Sequence, residues 1–239
     1  MDDSLTAEHD SRAHTIFERT RLEEQYEDLG QQHRAASLGM WVFLATEVMF
    51  FGALFLSVAV YHHLYTEAYE KASQRLNWQI GGINTLVLLV SSLMVVLAVH
   101  YAEVGQRKRT ILFLALTALL GLCFLGFKAA EYYGDYIDNL IPGWRFDNNE
   151  WIAREGLRPD QVPHVKLFLF QYWIMTALHG LHVTVGIGVV LVMLVLTWRG
   201  RFSPAYYAPI DVTALYWHFV DIVWIFLLPT LYLLGTHHW

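Results

Sequence analysis

The sequence predicts an all-α fold: an integral membrane bundle of five transmembrane helices. Three observations carry that expectation. Of 239 residues, 55% are hydrophobic and only 16% charged, against roughly 45–50% and about 25% in soluble domains. Five stretches reach the length of about 20 mostly apolar residues that a helical crossing needs. Within them apolar residues fill every face, so lipid or other buried helices must surround them. A barrel is excluded, because its strands would alternate over about 10 residues. The net charge of −6 offers no basic surface to a nucleic acid. The single Cys123 excludes an internal disulfide and any cysteine-only metal site.

Residues 1–35 read as an acidic cytoplasmic extension, expected to be helical around Ile16–Leu29. Residues 1–38 hold nine Asp or Glu against four Arg. They contain no apolar core of the kind a cleavable leader needs. Residues 36–239 form the membrane domain. Its first span is Gly39–Tyr61 and its second Ile83–Tyr101. The third, Thr110–Tyr133, follows directly on Arg107, Lys108 and Arg109. The fourth, Leu167–Trp198, exceeds one crossing, so it tilts or its first turn stands above the membrane. The fifth is Asp211–Gly235. Trp41, Tyr61, Trp78, Tyr101, Tyr132, Tyr133, Trp198, Tyr206 and Tyr207 stand near the span ends, as in an interfacial aromatic belt. The loop 134–166 carries Trp144 and Trp151, aromatics expected to pack on something.

Orientation follows from the positive charges. Nine Lys or Arg lie on the side of the N-terminus and six on the other. The short loops decide: residues 102–109 hold three and residues 199–210 hold two. Such loops stay inside, which puts the N-terminus in the cytoplasm and the C-terminus outside.

Ionisable groups inside a span are expensive and rarely face lipid. This chain has Glu47, Lys128, Glu131, His179, His182, His218 and Asp221 there. Glu131 follows Lys128 by three residues, and Asp221 follows His218 by three. That spacing shares a helix face, so each pair can neutralise itself and lock helices together. Glu47 has no basic residue within four positions in its span. It must pair across helices, stay protonated, or meet water or a lipid headgroup.

His179 and His182 supply only two imidazoles from one helix. A di-iron bundle site wants Glu-x-x-His on two helices plus two further Glu, a pattern absent from these spans. No metal site, nucleophile–base pair or Gly-rich phosphate loop is expected in this chain. Thr176, Gly180, Thr184 and Gly188 recur every four residues on the fourth span. A small-residue stripe of this kind lets another helix approach closely.

Four segments, each on its own span, resemble subunit III of the haem-copper respiratory oxidases. They are Leu38-Gly-Met-Trp-Val-Phe-Leu-Ala-Thr-Glu-Val-Met-Phe-Phe51, Phe127-Lys-Ala-Ala-Glu-Tyr-Tyr133, His179-Gly-Leu-His-Val-Thr-Val-Gly186 and Tyr216-Trp-His-Phe-Val-Asp-Ile-Val-Trp224. The likeness runs over residues 36–235 and resembles the five-helix form, without the two leading helices of the seven-helix form. The resemblance implies a non-catalytic subunit of a proton-pumping terminal oxidase in a bacterial-type inner membrane. Haem and copper would belong to partner subunits, with phospholipid bound in a cleft here. The partners implied are the catalytic subunit I, subunit II, other oxidase subunits and membrane lipids. Glu47 matches the family's buried carboxylate. Glu131, His179, His182, His218 and Asp221 match further polar motif positions, of lipid-binding or structural character. Two alternatives stand beside this reading: an accessory protein of a nitric oxide reductase, and an independent histidine-rich membrane oxygenase.

Overall fold

The computed structural model describes residues 28–143, 146, 148–204 and 206–235. The N-terminal extension up to residue 27, Trp144 and Arg145 lie outside the described residues. Among those described, the chain is helical, with one isolated bridge between Ser203 and Tyr206. The helices are α1 (Leu29–Leu64), α2 (Thr66–Gln74), α3 (Trp78–Glu103), α4 (Arg107–Ile137), α5 (Asn148–Glu155), α6 (Val162–Trp198) and α7 (Ala208–Tyr232). Five of them, α1, α3, α4, α6 and α7, are long and apolar enough to cross a membrane.

Helix ends obey local chemistry. Asp28 caps α1 by accepting from the Gln31 N–H at 2.6 Å. Asn77 caps α3 by accepting from the Ile80 N–H. Pro163 and Pro209 sit in the first turns of α6 and α7, where a missing N–H costs nothing. Gly200, with φ of 74°, takes the left-handed turn that ends α6. The fifth predicted span ran to Gly235, but α7 ends at Tyr232. The apolar run that suggested the longer helix continues past the last helical residue.

Helix α7 is the hub. It packs on α1, α3 and α6, while α4 lies against α3 and α6. Exposure is inverted relative to a soluble protein. Met49 is 77% exposed and Leu38 66%, whereas Asn84, Ser91, Thr117, His179 and Asp221 are buried. Lipid solvates an apolar exterior, and polar groups gather where other helices can bond them.

Trp217 of α7 makes a close crossing with two helices at once. It lies between Gly121 of α4 and Gly186 of α6, where an added Cβ would come within 2.8 and 3.0 Å of the indole. The indole N–H donates to Ser91 Oγ at 3.1 Å, and Ser91 donates to the Thr117 carbonyl at 3.2 Å. One ring thus ties α3, α4, α6 and α7 together.

The small-residue stripe does not make such a crossing within this chain. Thr176 is buried, but Thr184 and Gly188 are exposed. Among the described residues, nothing lies within 4 Å of a Cβ added at Gly180 or Gly188. A step of four residues turns the helix by about 400°, so a four-residue series drifts about 40° per step off any fixed face. The buried face of α6 instead follows His179, Val183, Gly186 and Val190.

Two short helices close one end of the bundle. In α2, Tyr69 donates to Gln171 at 2.6 Å, Ser73 to the Leu231 carbonyl at 2.8 Å and Gln74 to the Gly235 carbonyl at 2.9 Å. Trp151 of α5 is buried, stacked on Phe146 at 6.0 Å with the Arg75 guanidinium 5.2 Å from its ring. The aromatic loop therefore packs as expected, through Trp151.

Candidate functional site

Lys128, Glu131 and Asp135 occupy one buried face of α4. Lys128 Nζ lies 3.1 Å from Glu131 Oε2, so the pair expected from the spacing forms. Two tyrosines from other helices complete it. Lys128 donates to the Tyr232 hydroxyl at 2.8 Å, which donates to Glu131 Oε1 at 2.5 Å. The Tyr172 hydroxyl lies 2.8 Å from Asp135 Oδ2 and 3.1 Å from Glu131 Oε1. The rings of Tyr132, Tyr172, Trp224 and Tyr232 surround the ammonium at 4.9 to 5.5 Å from their centroids. Negative ring faces solvate a cation that has left water.

Glu47 finds its partner across helices. Its Oε2 lies 3.2 Å from His182 Nε2. The other ring nitrogen, Nδ1, lies 2.8 Å from the Leu178 carbonyl. A carbonyl only accepts, so Nδ1 carries hydrogen. A neutral His182 then presents a bare Nε2, and the contact needs a hydrogen from Glu47. A charged His182 pairs with a Glu47 carboxylate. In either form the two side chains share one proton and are neutral together. Phe51 stands edge-on to the imidazole at 5.3 Å.

The second expected pair does not form. His218 Nδ1 meets Ser92 Oγ of α3 at 2.6 Å. Ser92 also faces the Asp221 carboxyl, though neither Asp221 oxygen has a hydrogen bond of good geometry among the described residues, and both ring nitrogens of His179 are likewise buried without one. His179 is packed instead by Trp224 at 5.1 Å and Phe124 at 5.5 Å. Spacing of three residues brought His218 and Asp221 to one side of α7, but α3 offers Ser92 to the imidazole. His218 and Asp221 are neighbours on one helix face and both reach Ser92, so His218→Ala and Asp221→Ala are expected to lower thermal stability non-additively, with a coupling above about 0.5 kcal/mol, when measured singly and together.

An apolar groove of about 760 Å³ runs between α1 and α7, walled by Trp41, Phe51, Phe55, Phe219 and Phe226. His218 lines it at mid-helix and Thr230 near one end. Of the six polar motif residues, only His218 reaches this groove; Glu131, His179 and Asp221 point into the bundle.

A family model described as "Cytochrome c oxidase subunit III" matches residues 166–236, which span α7 and all but the first turn of α6. The chain is 30% identical over 200 residues to a "Probable quinol oxidase subunit 3" of Staphylococcus haemolyticus, covering 83% of this chain and 88% of the relative. A protein of the same description from Staphylococcus aureus strain USA300 is 29% identical over 199 residues, with the same coverage. This chain belongs to the subunit III family of the haem-copper oxidases. In this subunit III, the motif on α1 meets the motif on α6 at Glu47–His182. The motifs on α4 and α7 meet around Lys128, Glu131 and Trp224.

Asp135, Tyr172, Tyr232 and Ser92 were not singled out from the sequence. Asp135 follows Glu131 by four residues, a signal that the face itself carries. It fell beyond the expected span end at Tyr133, so it read as a loop residue. Tyr172 and Tyr232 carry no local signal, because their partners lie 41 and 101 residues away.

Proposed function

We propose that this chain is the non-catalytic subunit III of a proton-pumping terminal oxidase in a bacterial inner membrane. It holds the catalytic subunit in its working form, binds phospholipid and supports proton uptake. Membership of the family carries this reading. The asymmetry of Lys and Arg favours an N-terminus on the cytoplasmic side. Relatives described as quinol oxidase subunit 3 support quinol as the electron donor of the complex. The α1–α7 groove has the apolar walls that an acyl chain needs, with His218 as its polar contact.

A pull-down of this chain in gentle detergent, read by visible spectrum and mass spectrometry, tests the proposal. The expected partner carries haem and copper and is oxidised by oxygen after reduction with quinol. A partner with haem and non-haem iron would overturn it in favour of a nitric oxide reductase accessory. Metal in the isolated chain would point to an oxygenase.

Glu47 acts as a local structural group in this reading rather than a link in the pumping path. Its proton is already shared with His182, and Gln at this position can still donate to Nε2. Glu47→Gln is therefore expected to leave oxygen consumption and the proton-to-electron ratio near wild type in reconstituted vesicles. A clear drop in that ratio would assign Glu47 to the relay.

A further inference from the structure

We infer that the Lys128–Glu131–Asp135 cluster is a proton-binding site, holding one proton that rests on Asp135 and is shared with Glu131 through the Tyr172 hydroxyl. Two independent counts lead there.

The first is charge. From α4 the cluster is faced by Lys128, Glu131, Tyr132 and Asp135, with Asp138 beyond. Helix α6 contributes Tyr172 and His179, and α7 contributes Trp224 and Tyr232. Among the described residues that face the cluster, Lys128 is the one cation. His179 gives no counter-charge, since an imidazolium with two buried, unbonded N–H groups would be severely penalised. Two carboxylates against one ammonium leave a net negative charge in a site where all three side chains are buried. One added proton makes the cluster neutral.

The second count is hydrogens. Tyr172 has a single hydroxyl hydrogen but lies within bonding distance of two carboxyl oxygens, at 2.8 and 3.1 Å. It can donate to one only. The other contact would set acceptor against acceptor unless that carboxyl carries hydrogen. Glu131 Oε2 is also buried without a hydrogen bond of good geometry, despite the nearby ammonium. The cluster is thus one hydrogen short on this count as well.

Asp135 is the resting place because Glu131 is already served by Lys128 and Tyr232, while among the described residues Asp135 is hydrogen-bonded by Tyr172 alone. With Asp135 protonated, Oδ2–H donates to Tyr172 Oη, and Tyr172 donates to Glu131 Oε1. Sharing reverses this pair of bonds. Asp135 gives its hydrogen to Tyr172 as Tyr172 gives its own to Glu131, so one proton moves and the phenol is unchanged. Asp135 lies near the end of α4, one turn from Asp138, so exchange with water occurs at that end of the bundle.

Infrared difference spectroscopy of the purified complex in light and heavy water, near neutral pH, reads this directly. A carboxylic C=O band that shifts on deuteration is expected, lost in Asp135→Asn and displaced but present in Tyr172→Phe. Asp135→Asn should assemble normally, because an amide copies the shape and bonding of the neutral acid. An Asp135→Asn spectrum that matches wild type overturns the proposal, as does failure of that variant to assemble. Loss of the band only in Glu131→Gln overturns the assignment to Asp135. An unmoved band in Tyr172→Phe overturns the sharing.

Discussion

Replacing Lys128 by Met is expected to cost on the order of 3–5 kcal/mol and to strip the subunit from the complex during purification. The loss is not chiefly that of an attraction. Lys128 and Glu131 side chains are 7% and 2% exposed, so removing the cation strands an anion away from water. Tyr232 still donates to Glu131 Oε1, but a phenol carries no charge to offset the carboxylate. The aromatic box around the ammonium would also close on a thioether that it does not solvate as well. Adding Glu131→Gln to Lys128→Met removes the stranded charge, so the double variant should be retained better than Lys128→Met alone. Retention through purification and the thermal midpoint of the complex check this. Strictly additive losses would show that the pair carries no coupling energy.

Gly121→Leu should be nearly as damaging, through sterics alone. A Cβ at this position would lie 2.8 Å from the Trp217 ring and 3.0 Å from Ile187. The ring has little room to yield, because Gly186 presses its other edge and Ser91 holds its N–H. Overpacking a tight core costs about 1–3 kcal/mol for modest additions and more for large ones; a whole Leu side chain belongs with the large ones. Gly180→Leu is the matched control, since none of the described residues lies within 4 Å of a Cβ there. It should leave the chain folded, as judged by its unfolding midpoint. If the folded Gly180→Leu chain no longer co-purifies with the oxidase, a partner helix lies against the Thr176–Gly188 stripe. If it co-purifies in normal amount, that stripe faces lipid.

The two experiments probe different kinds of legibility. Lys128–Glu131 could be read from spacing because both partners belong to one helix, where three residues bring side chains together. The same rule at His218 and Asp221 named the right face of α7 and the wrong partner, since Ser92 of α3 takes the imidazole. The glycines that meet a ring within this chain are not the ones the spacing named. Gly180 and Gly188 looked regular in sequence, yet Gly121 and Gly186 are the ones met by an indole from another helix.

Composition and span length alone determined the five crossings, because solvation of a helix by lipid is a property of its own residues. The acidic extension, the aromatic span ends and the four motif segments could likewise be read from the chain as written. Helices α2 and α5 escaped that reading, being too short and too polar to announce themselves as spans. Only the tertiary structure decided that Glu47 meets His182, that Lys128 sits among four aromatic rings, and that Asp135 joins its cluster. Those partners lie on other helices or past the expected span end. A helix's own period states which face is buried, while the identity of the group across that face depends on how a distant segment is rotated and shifted against it.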